Sequence, residues 1–421
     1  MSVPPHIATF IFRAVYGISF AMEKPQIRFI EAIPYEKDGK ELVILRDTEG
    51  IAREALAVSR DVAFMISLMD GTNTLQDIQT AFMRASGQTV YMEQIEGLVK
   101  ALDQNLFLYN DRYTAHVKAL YDDYDRLPVR PAYLAGKSYS ASRIDLLSFL
   151  SGMFNGHAHA ADAPGDISGI LAPHIDYSRG ALVYRAIYPY LKDAPKPLLV
   201  IFGTCHHPTQ GLWSISLKDF ATPLETVPVG PGLKELIRAN SFLSRYIEEW
   251  PHRNEHSIEL QLPLIQFMMQ GDFEILPILT GSMHEFIEGS KSIDDDDEVR
   301  QLTESLKHVL DTYGKPYCII AGADLAHIGA QFGDRYALDA VTLEGSRKKD
   351  ELLLGHVRNV DADAFFREIK EEGDRRRICG LTPIFFQLKL LKGSRADIVD
   401  YHQWTDGQSS VSFAGGFFCR K

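Results

Sequence analysis

From about residue 167 onward, short apolar runs alternate with segments of helical spacing, and this alternation restricts the fold more than any other feature of the chain. Residues 167–171 read as a strand, and Leu182, Val183, Ala186, Ile187 and Leu191 after them have helical spacing. Residues 197–202, 273–279 and 317–321 read as further strands, with later ones at 396–401 and 411–418. Several of these runs are apolar at every position, which marks strands buried on both faces. The expected class is therefore α/β, with a mixed, largely parallel central sheet flanked by helices.

Open sheets of this kind bind ligands beyond the carboxyl ends of their strands. Three of the strands run into APHIDY (172–177), GTCHHP (203–208) and GADLAHIG (322–329), which deliver His174, His206 and His327. One histidine there would be an ordinary core residue. Three in equivalent places point to a shared polar site, and metal binding is the leading chemistry because neutral imidazole is the commonest protein metal ligand. In EHSIELQLPLIQFM (255–268), Glu255, His256 and Glu259 precede or open what reads as an amphipathic helix. Glu255 or His256 could serve as acid, base or orienting group, or only as helix cap and surface charge. In RRRICGLTPIFFQLKLL, Cys379 stands just before a helical pattern and close to Arg375, Arg376 and Arg377. A thiol so placed would have a lowered pKa and form the metal-binding thiolate. The alternative is a small buried apolar residue, the reading that suits Cys318 and Cys419. Cys205 lies beside His206.

The 421 residues leave room for two to three domains at roughly 150 residues each. Residues 1–125 form the front part and 126–421 the α/β domain. In the front part residues 41–46 read as a strand. Val62, Phe64, Met65, Leu68 and Met69 are helix-spaced, and Asp70-Gly71 is a turn. Thr72 or Thr74 caps the next helix, with Leu75, Ile78 and Phe82, and Gly87 ends it. A third helix carries Met92, Ile95, Leu98, Val99 and Leu102, and residues 106–109 read as a strand. The pattern suggests a small winged-helix-type α+β module. Such modules often bind DNA, but residues 60–110 set Arg60, Arg84 and Lys100 against Asp61, Asp70, Asp77, Glu93, Glu96 and Asp103. The whole chain has 44 basic and 56 acidic residues. Nucleic-acid affinity needs the opposite balance. YDDYDRLPVRP (121–131) is the linker expected between the two parts, and the acidic run 294–298 reads as a solvated loop and helix N-terminus.

Other classes fall away. No apolar run reaches the ~20 residues of a membrane helix. Residues 1–21 have no basic leader and are interrupted by Arg13, so a cytoplasmic protein with a loosely ordered upstream extension is expected. Four cysteines without a C-x-x-C pair exclude a disulfide scaffold, a zinc ribbon and a thioredoxin site. LAGKS (134–138) would need the first glycine of a P-loop where Pro131 stands. The G-x-S-x-G, H-E-x-x-H and G-x-G-x-x-G motifs are also missing from the places where their chemistry needs them.

APHIDY, GTCHHP, EHSIELQLP, GADLAHIG and ICGLTP follow one another in the order and approximate spacing of the Memo family, and PAYLAGKSYSAS (131–142) resembles that family's start. The resemblance runs from about residue 129 to the end. It implies the fold of the class III extradiol dioxygenases, which are non-haem iron enzymes. It also suggests the bacterial type called AmmeMemoRadiSam system protein B, associated with radical-SAM and AMMECR-type partners. The segment ISLMDGTNTLQDIQTAF with the helix and LFLY after it resembles the PqqD-like domains, which implies peptide docking; a purely structural module is the other reading.

Carried over residue by residue, the resemblance makes His174, His206 and Cys379 the metal ligands. Fe(II) is the first choice and Cu or Zn the alternatives. His327 becomes the general acid/base, with Asp324 orienting it and fixing its tautomer, and His256 contacts substrate or bound oxygen. Glu255, Asp176 and His207 line the substrate space. His207 is not expected as a ligand, since adjacent side chains rarely reach one ion. H-I-D-Y departs from the family's H-A-G-Y and places Asp176 where a carboxylate could join the metal's surroundings or alter substrate access. The implied function is a non-haem iron oxidoreductase acting on a small or peptide-borne substrate. The alternative is an iron- or copper-binding or docking protein without turnover.

Overall fold

The computed structural model describes residues 23–37, 39–47, 49–52, 54–155, 166–193, 197–269, 271–293 and 296–420. The expectation for residues 1–21 lies outside the described residues, as do Asp294 and Asp295 of the acidic run. Asp296 in that run accepts from the Val299 amide and caps the helix Asp297–Tyr313. The chain forms two compact units, Met1–Arg126 and Leu127–Lys421.

The larger unit has a mixed α/β fold built on an eight-stranded sheet. Across it the order is His327–Gly329, Ser409–Cys419, Ile167–Ala172, Tyr317–Gly322, Leu198–Thr204, Glu274–Thr280 and Trp213–Ile215, and Arg395–Thr405 also pairs with Ser409–Cys419. The four strands from Ile167–Ala172 to Glu274–Thr280 are parallel. The remaining pairings are antiparallel. Alternating side chains feed two cores, one on each face. Leu198, Val200 and Phe202 pack with the helices Asp297–Tyr313, Ala340–Arg358, Ala362–Glu371 and Leu381–Leu390. Leu199 and Ile201 pack with Arg143–Phe154, Tyr177–Ile187 and Gln261–Met269. Burial on both faces is why these strands read as unbroken apolar runs, and each large side chain so buried contributes about 1.5–3 kcal/mol.

Registration aligns the strand ends. Gly322 stands opposite both Ala172 and Gly203, and Thr280 opposite Thr204. Loops leaving these ends therefore emerge on one edge, at one level.

Among the described residues the smaller unit has an antiparallel sheet, Glu31–Lys37, Lys40–Arg46 and Leu56–Ser59, and four helices, Arg60–Ser67, Leu75–Ser86, Met92–Gln104 and Asp111–Asp125. Thr74 and Asp77 form a capping box at the second helix, and Gly87 closes it at φ 69°. Two expectations are corrected here. Residues 106–109 form no strand, only the isolated bridge Ile27↔Leu108. Residues 121–125 of the expected linker belong to the helix Asp111–Asp125. Its side-chain spacing was hidden by the acidic composition of its last turn. Among the described residues no helix is long and apolar enough to cross a membrane.

Candidate metal centre

His174 lies two residues past Ala172, His206 two past Thr204 and Asp324 two past Gly322. Equal overhang from aligned strand ends brings these three together. His327 is the exception to the expected pattern: it opens its own short strand, paired with Val411, rather than lying at the end of the strand Tyr317–Gly322. Asp324 occupies the equivalent place instead.

Each imidazole has its Nδ1 committed. The His174 Nδ1 donates to the Gly322 carbonyl at 2.9 Å. The His206 Nδ1 meets both oxygens of Glu255 at 3.1 and 3.2 Å. The His256 Nδ1 lies 3.0 Å from Oε1 of the same carboxylate. The His327 Nδ1 donates to the Leu325 carbonyl at 3.1 Å. A carbonyl or carboxylate oxygen only accepts, so in a neutral ring the proton sits on Nδ1 and the lone pair on Nε2. Burial would lower the His206 pKa, but the Glu255 carboxylate outweighs it and raises the group above the ordinary histidine value.

Glu255 is 2% exposed and also accepts from the backbone amides of His206, His256 and Ser257 at 2.7, 2.7 and 3.1 Å. Burial alone would raise its pKa, but His206 and His256 outweigh that and hold the carboxyl well below the usual range. One carboxylate thus orients two rings, which stack with centroids 4.6 Å apart. Burial, with His256 and His206 nearby, drives His174 well below the ordinary histidine value and keeps it neutral.

The Cys379 Sγ stands 3.4 Å from the His174 Nε2. One donor atom each from His174, His206 and Cys379 lies within 4.8 Å of the others, and His206, Glu255 and His256 form a second such group. Donors held ~2.0–2.3 Å from one ion stand roughly 3–4.5 Å apart, so two imidazoles and a thiolate in this arrangement fit a single cation.

The thiol corrects one expectation. Burial raises Cys379 well above its ordinary pKa, and the Asp324 carboxylate adds to the shift. The arginines expected to lower it are turned elsewhere. Arg376 faces Asp350 and Glu372, Arg377 pairs with Asp334, and Arg375 donates to the Glu372 carbonyl. Without a cation Cys379 is held as the neutral thiol.

Asp324 is 2% exposed and accepts from the His174 amide at 2.9 Å. It therefore fixes the His174 turn, while the His327 tautomer is set by the Leu325 carbonyl and not by Asp324 as expected. Asp176 caps the helix Tyr177–Ile187 through Ser178 and Arg179 and pairs with the Arg179 Nε at 2.8 Å. Both of its oxygens are spent there. His207 is half-buried and belongs to neither donor group among the described residues. The segment after Glu255 also departs from expectation. The helix is Gln261–Met269, buried on nearly every side rather than amphipathic, and Glu259 is 0% exposed. Glu259 pairs with buried Arg130 and accepts from Tyr139 and the Tyr133 and Leu134 amides.

Several residues that support the site had escaped the sequence. Arg130 donates to the carbonyls of Glu255 and His252 at 2.7 and 2.5 Å. The Tyr184 hydroxyl bonds to the carbonyls on either side of His174, those of Pro173 and Ile175. The Thr204 hydroxyl donates to the Cys379 carbonyl at 2.9 Å. Charged Glu259 within the apolar run SIELQLP was the one available signal.

Among known proteins, the family model described as Memo-like protein matches residues 130–417. A MEMO1 family protein of Aquifex aeolicus is 26% identical over 401 residues, 94% of this chain and 100% of that protein. A second, from Thermus thermophilus, is 28% identical over 340 residues, 79% of this chain and 94% of that protein. Both similarities extend ahead of residue 130, into the smaller unit. The crystal structure of an uncharacterized Escherichia coli K12 protein overlaps with TM-score 0.36 and 13% identity, covering 59% of this chain and 99% of that one, too loosely to carry an argument.

Proposed function

This chain belongs to the Memo-like family, and from that premise we propose that it is a metal-dependent oxidoreductase whose ion is held by the His174 and His206 Nε2 atoms and the Cys379 thiolate. The observation that carries the reading is the convergence of those donors while each histidine's Nδ1 is already committed. Two histidines and one anion with open positions suit Fe(II) first, and the soft sulfur also suits copper or zinc. When bound, such an ion supplies a site where dioxygen or a substrate oxygen is held and polarised.

The chain's own groups would do the rest. Glu255 orients His206 and His256 together. His256 presents its free Nε2 to the substrate side. His327, lowered from the ordinary histidine value by burial, accepts or gives a proton at Nε2. Asp324 holds the turn that carries His174. Loss of the Cys379 proton on loading couples metal uptake to pH. The larger unit is read as extradiol dioxygenase-like, and the smaller as a PqqD-like winged-helix module presenting a peptide substrate.

A second reading, iron or copper handling or docking without turnover beside radical-SAM and AMMECR-type partners, is favoured by the thiol donor and by the His327 Nδ1 bonding to the Leu325 carbonyl while Asp324 accepts from the His174 amide. Anaerobic purification, elemental analysis and oxygen uptake on wild type and His174→Ala separate the two. Iron equimolar with the chain, lost in the variant, with uptake on adding catechol-like or peptide substrates, supports the enzyme. Copper, zinc or iron without oxygen chemistry supports the second reading. A metal-free wild type after loading rejects the enzyme and the metal-handling reading and leaves a pocket used for recognition.

A further inference from the structure

Two residues other than glycine in the loop leading to Cys379 have left-handed backbones, Asp374 at φ 46° and Arg377 at φ 52°. Side chains with a Cβ disfavour that region, so the loop needs external support. Between them, Arg376 is 7% exposed and faces Asp350, which is 0% exposed on the helix Ala340–Arg358. The Arg376 guanidinium also meets Glu372 and the Ser346 carbonyl, each at 3.1 Å. The second oxygen of Asp350 accepts from the Ser412 hydroxyl at 2.6 Å and the Tyr401 hydroxyl at 2.8 Å.

Arg376 and Ser412 reach onward to the centre. The Ala326 amide donates to the Ser412 hydroxyl at 2.9 Å. The His327 amide donates to the Arg376 carbonyl at 2.7 Å, and the Gly380 amide to the Asp324 carbonyl at 2.9 Å. Two turns, 324–327 and 374–379, therefore rest on one buried carboxylate that lies outside both donor groups.

We propose that Asp350 is a positioning residue for the metal centre, setting the placement of Cys379 through Arg376 and of Asp324 and His327 through Ser412. The purpose assigned to it rests on the metal reading above; the connectivity does not. A buried ion pair is a poor source of stability, because desolvating both charges offsets their attraction. It does select one arrangement, since a shift of the 374–379 turn leaves a buried charge without its partner and a shift of the 324–327 turn leaves the Ala326 amide without its acceptor.

The test uses the full chain and three variants, Asp350→Asn, Ser412→Ala and Tyr401→Phe. Cys379 alkylation by iodoacetamide is followed by peptide mass spectrometry on metal-free protein. Co(II) affinity is read from the thiolate-to-cobalt absorption, and the thermal midpoint from circular dichroism. Asp350→Asn is expected to weaken Co(II) binding about 10–100-fold and to raise the alkylation rate several-fold, with Ser412→Ala changing both in the same direction by less. Tyr401→Phe removes a bond to the same carboxylate oxygen without touching either turn, so it should lower the midpoint and leave affinity and alkylation at wild-type values. If Ser412→Ala behaves like Tyr401→Phe, the positioning role is wrong and Asp350 is only structural; should Asp350→Asn not fold, that comparison alone decides. A wild-type chain that takes up no Co(II) overturns the metal reading, and the alkylation rates then still judge the positioning role.

Discussion

Glu255 shows how much of this site depends on single atoms. Its two oxygens serve two imidazoles and three amides, and both histidines have Nδ1 held by it. Glu255→Gln keeps the shape but leaves only one accepting oxygen and adds a donor. One ring must turn, and metal affinity should fall about 10–100-fold, measured by competition with a chelator. Cys379→Ser should remove most metal while the circular dichroism spectrum stays that of the wild type; undiminished metal content would take Cys379 out of the site. His327→Ala should keep the metal and lose turnover, because its Nδ1 is tied to a carbonyl and its Nε2 lies outside the ligand group. At this scale the sequence displayed the residue types of the centre. It misjudged the surroundings of Cys379, because three adjacent arginines say nothing about which carboxylates will neutralise them.

The strands were legible because burial on both faces leaves an unambiguous signature. The segment after Glu255 was not, because a charge in an apolar run normally marks an outward face, and Glu259 points instead to buried Arg130. The approach of that segment to the sheet depends on glycine at the strand ends. A Cβ at Gly322 would press on the Ser257 carbonyl and Gln261, and one at Gly203 on Ser257 and Ile258. Gly322→Ala should cost about 1–3 kcal/mol by overpacking and displace the loop that bears Glu255, read as a lowered urea midpoint together with weaker metal binding. A loss of stability without any change at the metal would mean that the loop is held independently of the strand end.

For the molecule as a whole, acid should act first through buried neutral histidine. His252 is 1% exposed and donates through Nε2 to the Ser214 carbonyl. Burial pushes it down to about 3, with the Arg130 charge acting in the same direction. Between the unfolded value of ~6.5 and that folded value, the unfolded chain binds a proton the native one does not. His252 should therefore contribute a fall in stability of about 1.4 kcal/mol per pH unit as pH drops through this window, and His252→Gln should flatten the slope in urea titrations of the metal-free protein. The larger unit contains its own two cores, so a chain beginning at Leu127 should fold and bind metal with wild-type affinity. Failure of that shortened chain to fold would make the smaller unit part of the same cooperative structure.

The sequence by itself determined the alternation of strands and helices, the strand-end loops, and the stock of histidine, carboxylate and thiol available to them. These follow from local periodicity, because burial repeats along each element. Tertiary structure alone decided which member of each loop arrives. It placed Asp324 rather than His327 two residues past the strand Tyr317–Gly322, turned Asp176 into a helix cap and gave two imidazoles to one carboxylate. It also joined residues far apart in the chain, Arg130 to Glu259 and Asp350 to Ser412. Partners at such separation leave no local period, since the pairing is fixed by strand register and by the cost of leaving a buried charge or donor unmet.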